Sequence, residues 1–385
     1  MSNRILLISE PGLDGVFRHV ESVIYFLLEN GVEVDLAYSS KRGSAQLSAL
    51  IQKVESNGGE TLDLKTGNSP SFADLSAYRR LYAFAKRRRP SVTHAHSSKA
   101  GALARLLPHS VSGQVFYTPH AYYGLGNSGG VKTLLFNSIE RFLGPRGISI
   151  HLSPEESEFA EATLHLQPEG HVSIPNAVDF AVFREVASVE ERAVIRQSLG
   201  LPEDVTVIGS IGRLSYQKNP ELLYRAFVRF AEQRDQTEPL YLLHVGNGSA
   251  TEMREMHQLA VELGIADQVV RPAYRSDPEV FYRAMDAFCL SSRYEGLPFT
   301  VLEALASNLP LILTDAPGLQ SFGDPSYGLS HVFYGRANEQ SLAGAMEAWL
   351  KKRSDPVNHR QSAQKHFSIP EVYGEILQLY QQYAR

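Results

Sequence analysis

The chain has 385 residues, 43% of them hydrophobic and 21% charged, and carries a net charge of −5 at pH 7. That length suits two hydrophobic cores of ordinary domain size, and the apolar content excludes a disordered chain. A net acidic chain lacks the surplus of Lys and Arg that general nucleic-acid binding requires, so any anion site is local.

After Met1-Ser2-Asn3-Arg4 comes the apolar run Ile5-Leu6-Leu7-Ile8, too short for a signal-peptide core, which reads as a first strand. Further strands are predicted at 33–37, 92–95, 114–118 and 148–152, with segments of helical period between them. The turn-forming run Ile174-Pro175-Asn176-Ala177-Val178-Asp179 breaks this pattern, and Gly200-Leu201-Pro202 precedes a new strand at 205–211. Strands at 240–245, 269–271, 287–290 and 310–314 follow, again separated by helices.

Alternation of this kind is the signature of strand-helix-strand units around a parallel sheet. Two doubly wound α/β domains are expected, residues 1–180 and 181–368, followed by a helix at 369–385 that packs back toward the first. Facing sheets would leave an interdomain cleft at the carboxyl ends of the strands, where such folds bind ligands. No apolar stretch reaches the ~18 residues that a membrane-spanning helix needs. The single Cys289, within Ala287-Phe288-Cys289-Leu290, allows no internal disulfide and points to the cytoplasm.

In the amino half, Gly12-Leu13-Asp14-Gly15-Val16-Phe17-Arg18-His19 joins the first strand to the first helix. His94-Ala95-His96 ends the third strand; alternation points both histidines to one side, but no third metal ligand is evident. Tyr117-Thr118-Pro119-His120 ends the fourth. The basic run Lys86-Arg87-Arg88-Arg89 closes a helix whose dipole it complements. Attraction to anionic lipid, at the inner face of a membrane, is its second reading. The run Gly124-Leu125-Gly126-Asn127-Ser128-Gly129 matches a dinucleotide fingerprint literally but lacks the acidic partner, and reads as a flexible loop.

In the carboxyl half, Gly212-Arg213-Leu214-Ser215-Tyr216-Gln217-Lys218 follows a strand and leads into a helix, and His244-Val245-Gly246-Asn247-Gly248 ends another strand in a tight turn. The stretch from Ser292 through Glu295-Gly296-Leu297-Pro298 to Ala306 reads as a strand end, a glycine turn and a helix with Pro298 near its first turn. The free amides of such a helix start suit a phosphate oxygen. Glu295 and Glu303 are eight positions apart, and a carboxylate accepts paired hydroxyl donors.

Together these stretches resemble the retaining glycosyltransferases with the two-Rossmann GT-B fold, particularly family 4, over nearly the whole chain. The resemblance implies that Glu295 binds hydroxyls of a donor sugar, Glu303 binds the ribose, and the backbone of Gly296 and Leu297 approaches the sugar and diphosphate. It implies that Arg213 and Lys218 neutralise the diphosphate and that Gly246 and Asn247 lie beneath the nucleotide. Gly15 and Val16 would approach the diphosphate from the first loop, although Asp14 stands in place of the first of the family's two glycines. His120 would lie near the donor sugar, with His96 and Tyr122 on the acceptor side.

The implied donor is a nucleoside diphosphate sugar, UDP slightly preferred over GDP. The implied acceptor is a hydroxyl of a glycan or lipid-linked molecule in bacterial surface polysaccharide synthesis. Transfer would retain anomeric configuration, with no cofactor and, lacking an Asp-x-Asp signal, no metal. Two rivals share the architecture: a sugar-nucleotide epimerase or hydrolase, and a non-catalytic nucleotide-sugar-binding protein, the latter kept open by the altered loop at Asp14-Gly15.

Overall fold

The computed structural model describes residues 4–10, 14–67, 71–126, 129–234, 238–273, 275 and 277–383. The chain forms two compact units, Met1–Asn176 with Ile369–Arg385, and Ala177–Ser368. Each is a parallel sheet with helical crossovers.

The first unit holds strands β1 (Arg4–Ser9), β2 (Glu33–Tyr38), β3 (Thr61–Asp63), β4 (Val92–His96), β5 (Gln114–Thr118), β6 (Ile148–His151) and β7 (His171–Ser173). Between them run helices α1 (Asp14–Glu29), α2 (Ala45–Ser56), α3 (Ala73–Arg88), α4 (Ser98–Arg105), α5 (His109–Ser112), α6 (Val131–Leu143) and α7 (Pro154–Ala162). The sheet order is β3-β2-β1-β4-β5-β6-β7. β1 and β4 are central strands buried on both faces, which is why β1 reads as a short apolar run without alternation. Register sets Ser9 level with His96 and His96 level with Thr118, so the carboxyl ends of three strands finish together.

The second unit holds β8 (Thr206–Ile211), β9 (Leu240–Val245), β10 (Val269–Val270), β11 (Ala287–Leu290), β12 (Leu311–Thr314) and β13 (Val332–Gly335), ordered β10-β9-β8-β11-β12-β13. Its helices are α8 (Val189–Ser198), α9 (Pro220–Gln233), α10 (Ala250–Glu262), α11 (Glu279–Ala284), α12 (Phe299–Ala306), α13 (Glu339–Lys351) and α14 (His359–Phe367). Phe227 and Phe230 of α9 and Trp349 of α13 pack with Ile208, Leu242 and Ile312 of the sheet. The last helix, α15 (Ile369–Tyr383), belongs to the first unit, where it buries Tyr373 and Tyr380.

Strands β3, β7 and β13 were not predicted. All three are outer strands of their sheets and only partly buried, and β3 and β7 carry a single apolar residue each. The basic run at the end of α3 serves the fold: Arg88 donates to Asp35 at 2.7 Å and to Glu60 at 2.8 Å, and Arg87 donates to Glu60 at 2.6 Å. Asp35 is completely buried and needs that partner. Among the described residues no helix is long and apolar enough to cross a membrane.

The contact between α4 and β5 leaves no room for a side chain at Gly101. A Cβ there would lie 2.4 Å from the Tyr117 ring, itself fully buried. Gly101→Ala is expected to lower stability by about 1–3 kcal/mol through overpacking, read as a shift in the denaturant midpoint.

Candidate active site

In both units the polar residues gather at the carboxyl ends of the strands, where the loops leave a parallel sheet. In the second unit the loops after β8 and β11 are tied together. Lys218 Nζ donates to Glu295 Oε1 at 2.6 Å, Ser292 Oγ donates to the same oxygen at 2.5 Å, and Gln217 Nε2 reaches Glu295 Oε2 at 3.2 Å. The Arg293 amide donates to the Gln217 carbonyl at 2.8 Å, and Ser291 Oγ donates to the carbonyls of Lys218 and Asn219 at 3.0 Å each. Glu295 is only 5% exposed, so its charge depends on these partners.

The turn after Glu295 keeps Gly296 and Leu297 buried and ends at Pro298, the residue that caps α12 in extended conformation. Glu303 lies inside α12, 1% exposed, and accepts a hydrogen bond from the Tyr282 hydroxyl of α11. The loops after β8 and β9 are joined too. Gly212 N donates to Val245 O at 2.9 Å, Leu214 N donates to Asn247 O at 3.0 Å, and Arg271 donates to Gly246 O at 3.0 Å. Gly246 has φ +151°, and a Cβ there would fall 1.8 Å from the Gly212 carbonyl oxygen, so this position requires glycine. Arg213 and Asn247 are exposed beside this junction, near Glu252, whose carboxyl is held below its usual pKa by the Ser249 amide and hydroxyl and, to a smaller degree, by the charge of Arg213.

A cavity of about 520 Å³ in the same unit opens instead near the amino ends of β8, β11 and β12. Two of its cations are already paired, Arg192 with Asp286 and Arg353 with Glu238, both within 2.8 Å.

In the first unit, four imidazoles meet at the ends of β4 and β5 and on α1. His94 and His96 stack with ring centroids 4.0 Å apart, and His96 Nδ1 lies 3.1 Å from His120 Nε2. His19 of α1, held at 2.8 Å by Asn176, completes the group. One nitrogen from each of His19, His96 and His120 lies within 4.8 Å of the others, close enough to share a metal ion. Read from the sequence, the His94-Ala95-His96 pair lacked a third ligand. His19 and His120, 77 and 24 positions from His96, supply candidates through tertiary contact that no sequence spacing signals.

Burial holds all four rings in the neutral form: His19 falls to about 4, and His94, His96 and His120 fall well below the usual imidazole range. His94 Nδ1 also contacts the Tyr380 hydroxyl of α15 at 2.5 Å. His120 and Ala121 both adopt positive φ, +56° and +82°, a conformation that costs about 1–3 kcal/mol per residue. The Ala121 amide is held at 2.5 Å by Glu156 of α7, whose other oxygen accepts from Leu152 N at 2.7 Å. Glu156 was not singled out in the sequence, since nothing local distinguishes it from the neighbouring Glu155.

Tyr122, assigned from the sequence to the acceptor side, is 1% exposed, and its hydroxyl lies 3.0 Å from His151 Nε2, within a small cluster that includes Tyr117, Ala160 and Leu164. Its side chain is therefore packed into the unit, away from any open surface. Gly15 and Val16 lie in the first turn of α1, which starts at Asp14, with Gly15 exposed. The expected loop residues Gly12 and Leu13 lie outside the described residues, as do Asn127 and Ser128.

Comparison with known proteins supplies the context. Residues 191–366 match the family profile "Glycosyl transferases group 1", and residues 14–177 match "Glycosyl transferase 4-like domain". The UDP-Gal:alpha-D-GlcNAc-diphosphoundecaprenol alpha-1,3-galactosyltransferase of Escherichia coli is 26% identical over 250 residues, 64% of this chain and 63% of that protein. Mannosylfructose-phosphate synthase of Agrobacterium fabrum is 28% identical over 224 residues, 56% of this chain and 46% of that protein, so these matches span less than two thirds of the relatives' length. Among solved structures, Anabaena HepE in complex with UDP-glucose superposes with TM-score 0.79 at 17% identity, covering 98% of this chain and 99% of that one, a likeness of fold.

Two pH effects of opposite sign follow from the first unit. The histidines, depressed from 6.5, contribute stability that is fully present above about pH 6.5 and is lost as pH falls toward their folded values. Glu156, raised by burial from 4.5 to about 7, contributes stability that is present below about pH 4.5 and is lost as pH rises through about 7. Glu156→Gln is therefore expected to gain stability relative to the parent protein between about pH 5 and about pH 8. Denaturant midpoints measured across that range check the sign.

Proposed function

The chain belongs to the group 1 glycosyl transferases, and on that premise we propose that it moves a sugar from a nucleoside diphosphate sugar to a hydroxyl of a glycan or lipid-linked acceptor. The observation that carries this reading is the Lys218–Glu295 pair, set between the glycine turn before α12 and the loop after β8. It offers a cation to a diphosphate and a carboxylate to sugar hydroxyls within one hydrogen-bonded unit. Glu303, buried within α12, takes the ribose, and Arg213 beside the Gly246 turn adds a second cation. The UDP-containing names of relatives favour UDP as the nucleotide.

The reaction breaks the bond between the anomeric carbon and the diphosphate oxygen and forms one from the acceptor oxygen to the same carbon. The acceptor proton passes to a phosphate oxygen on the face where the leaving group departs. The configuration is retained, and no protein nucleophile or metal takes part. Lys218, Arg213 and the amides at the start of α12 act where negative charge grows on the leaving diphosphate, the place where preorganised charge accelerates most. Surface polysaccharide or lipid-linked glycan assembly at the inner face of a bacterial membrane is the setting that fits these acceptors.

Release of UDP from UDP-hexoses, followed with and without a bacterial lipid and glycan extract, tests the reading. Release that depends on the extract, persists with a metal chelator and yields an α-linked product from an α-linked donor is the expected result. Equal release without acceptor would identify a hydrolase instead, and binding without any release a non-catalytic binder. Arg213→Ala, at an exposed position, is expected to lower kcat by about a hundredfold while leaving the denaturant midpoint unchanged.

A further inference from the structure

Helix α6 is amphipathic in the wrong sense for a surface helix. Its exposed apolar residues are Val131 at 83%, Leu134 at 68%, Leu135 at 57%, Ile139 at 38% and Phe142 at 66%. They recur at the three- and four-residue steps that place side chains on one face. Two polar residues turn inward, beside the buried Leu143. Thr133 and Glu140 are buried, and Glu140 accepts from Arg105 at 2.7 Å and from the Tyr117 hydroxyl at 3.0 Å. A helix that needed only to cover the core would be built the other way round. A contiguous apolar face on a soluble unit marks a surface that something else covers.

The exposed charges that α6 itself carries have one sign. Glu140, the only carboxylate of α6, is buried and neutralised, whereas Lys132 and Arg141 are exposed on the helix and Arg146 lies just beyond it. Arg146 stands over the Phe142 ring at 4.5 Å, and Arg141 donates to the Thr163 carbonyl at 2.8 Å. Among the described residues none of these three cations is in an ion pair. Tyr123, 41% exposed, lies against Phe136 with ring centroids 4.7 Å apart and adds an aromatic of the kind that suits a headgroup boundary. The basic run at the end of α3, by contrast, spends Arg87 and Arg88 on Glu60 and Asp35.

We propose that α6 lies in the plane of an anionic phospholipid bilayer, with Val131, Leu134, Leu135, Ile139 and Phe142 in the headgroup–acyl boundary and Lys132, Arg141 and Arg146 against lipid phosphates. A helix whose apolar face is exposed together with its own cations has the pattern of an interfacial helix, whose binding sums buried apolar area and attraction to anionic lipid. The proposal is independent of the donor chemistry, because vesicle binding is read without nucleotide or transfer.

The test is flotation of the full chain with vesicles of phosphatidylcholine alone and of phosphatidylcholine with phosphatidylglycerol. The parent protein is expected to partition into the anionic vesicles at least about tenfold more than into the neutral ones. The double variant Leu135→Glu with Phe142→Glu is expected to lose that binding at an unchanged thermal midpoint, since both positions are exposed. Lys132→Gln with Arg146→Gln is expected to bring anionic binding down toward the neutral level. The proposal is overturned if the parent protein does not float, or if the α6 variants float as it does. It is equally overturned if the parent is a dimer in solution that the Leu135→Glu, Phe142→Glu variant converts to monomer, because a second copy would then be what covers the face.

Discussion

A carboxylate that is 5% exposed must find positive charge and hydrogen-bond donors inside the protein, and at Glu295 that requirement organises the surrounding loops. Lys218 and Gln217 come from the loop after β8, and Ser292 from the end of β11, so meeting it fixes two loops against each other. The next loop joins as well, because Glu295 N donates to Pro317 O at 2.8 Å. Removing either charge would leave the other buried and uncompensated, which destabilises far more than an exposed pair would. The same arrangement is therefore a structural tie and a preorganised pair of opposite charges, with little reorganisation left to perform when a ligand arrives.

The first unit meets the burial problem by the opposite route. Where the second buries a charge with its partner, the first keeps four imidazoles uncharged, with Asn176, Thr118, Tyr380 and one another as partners, while His19 Nε2 and His96 Nε2 are buried without one. The positive φ of His120 and Ala121 persists because Glu156 grips the Ala121 amide from the start of α7. Strain is tolerated where surrounding contacts over-determine it, and such positions cluster at functional sites. Helix α15 closes the group from behind with Tyr380, so the last segment of the chain supports residues near position 94.

Much of this was legible in the residues because parallel strands buried on both faces announce themselves as short apolar runs. The strands containing Leu6, Val115, Ile208 and Leu243 were found in this way. The outer strands at Thr61–Asp63 and Val332–Gly335 were not, since half-buried outer strands need no such run. Glu295 and Lys218 were readable as separate motif residues, but their mutual bond, across 77 positions, was not. Tyr122 looked available because a tyrosine in a loop has no sequence mark of burial, and only tertiary packing directs its hydroxyl to His151. The reversed face of α6 escaped notice for a related reason: its period is that of any amphipathic helix, and only the structure shows which side faces water.

The central claim is that the second unit binds a nucleoside diphosphate through Glu303 and its neighbours, and the most direct measurement is a thermal-shift comparison with UDP, GDP and ADP. A ligand that binds only the folded state raises its apparent stability, by about 2.7 kcal/mol at a hundred times its Kd. The account predicts that UDP raises the unfolding midpoint of the parent protein and leaves that of Glu303→Ala unmoved. An equal shift in the variant, or no shift with any of the three nucleotides, would contradict it.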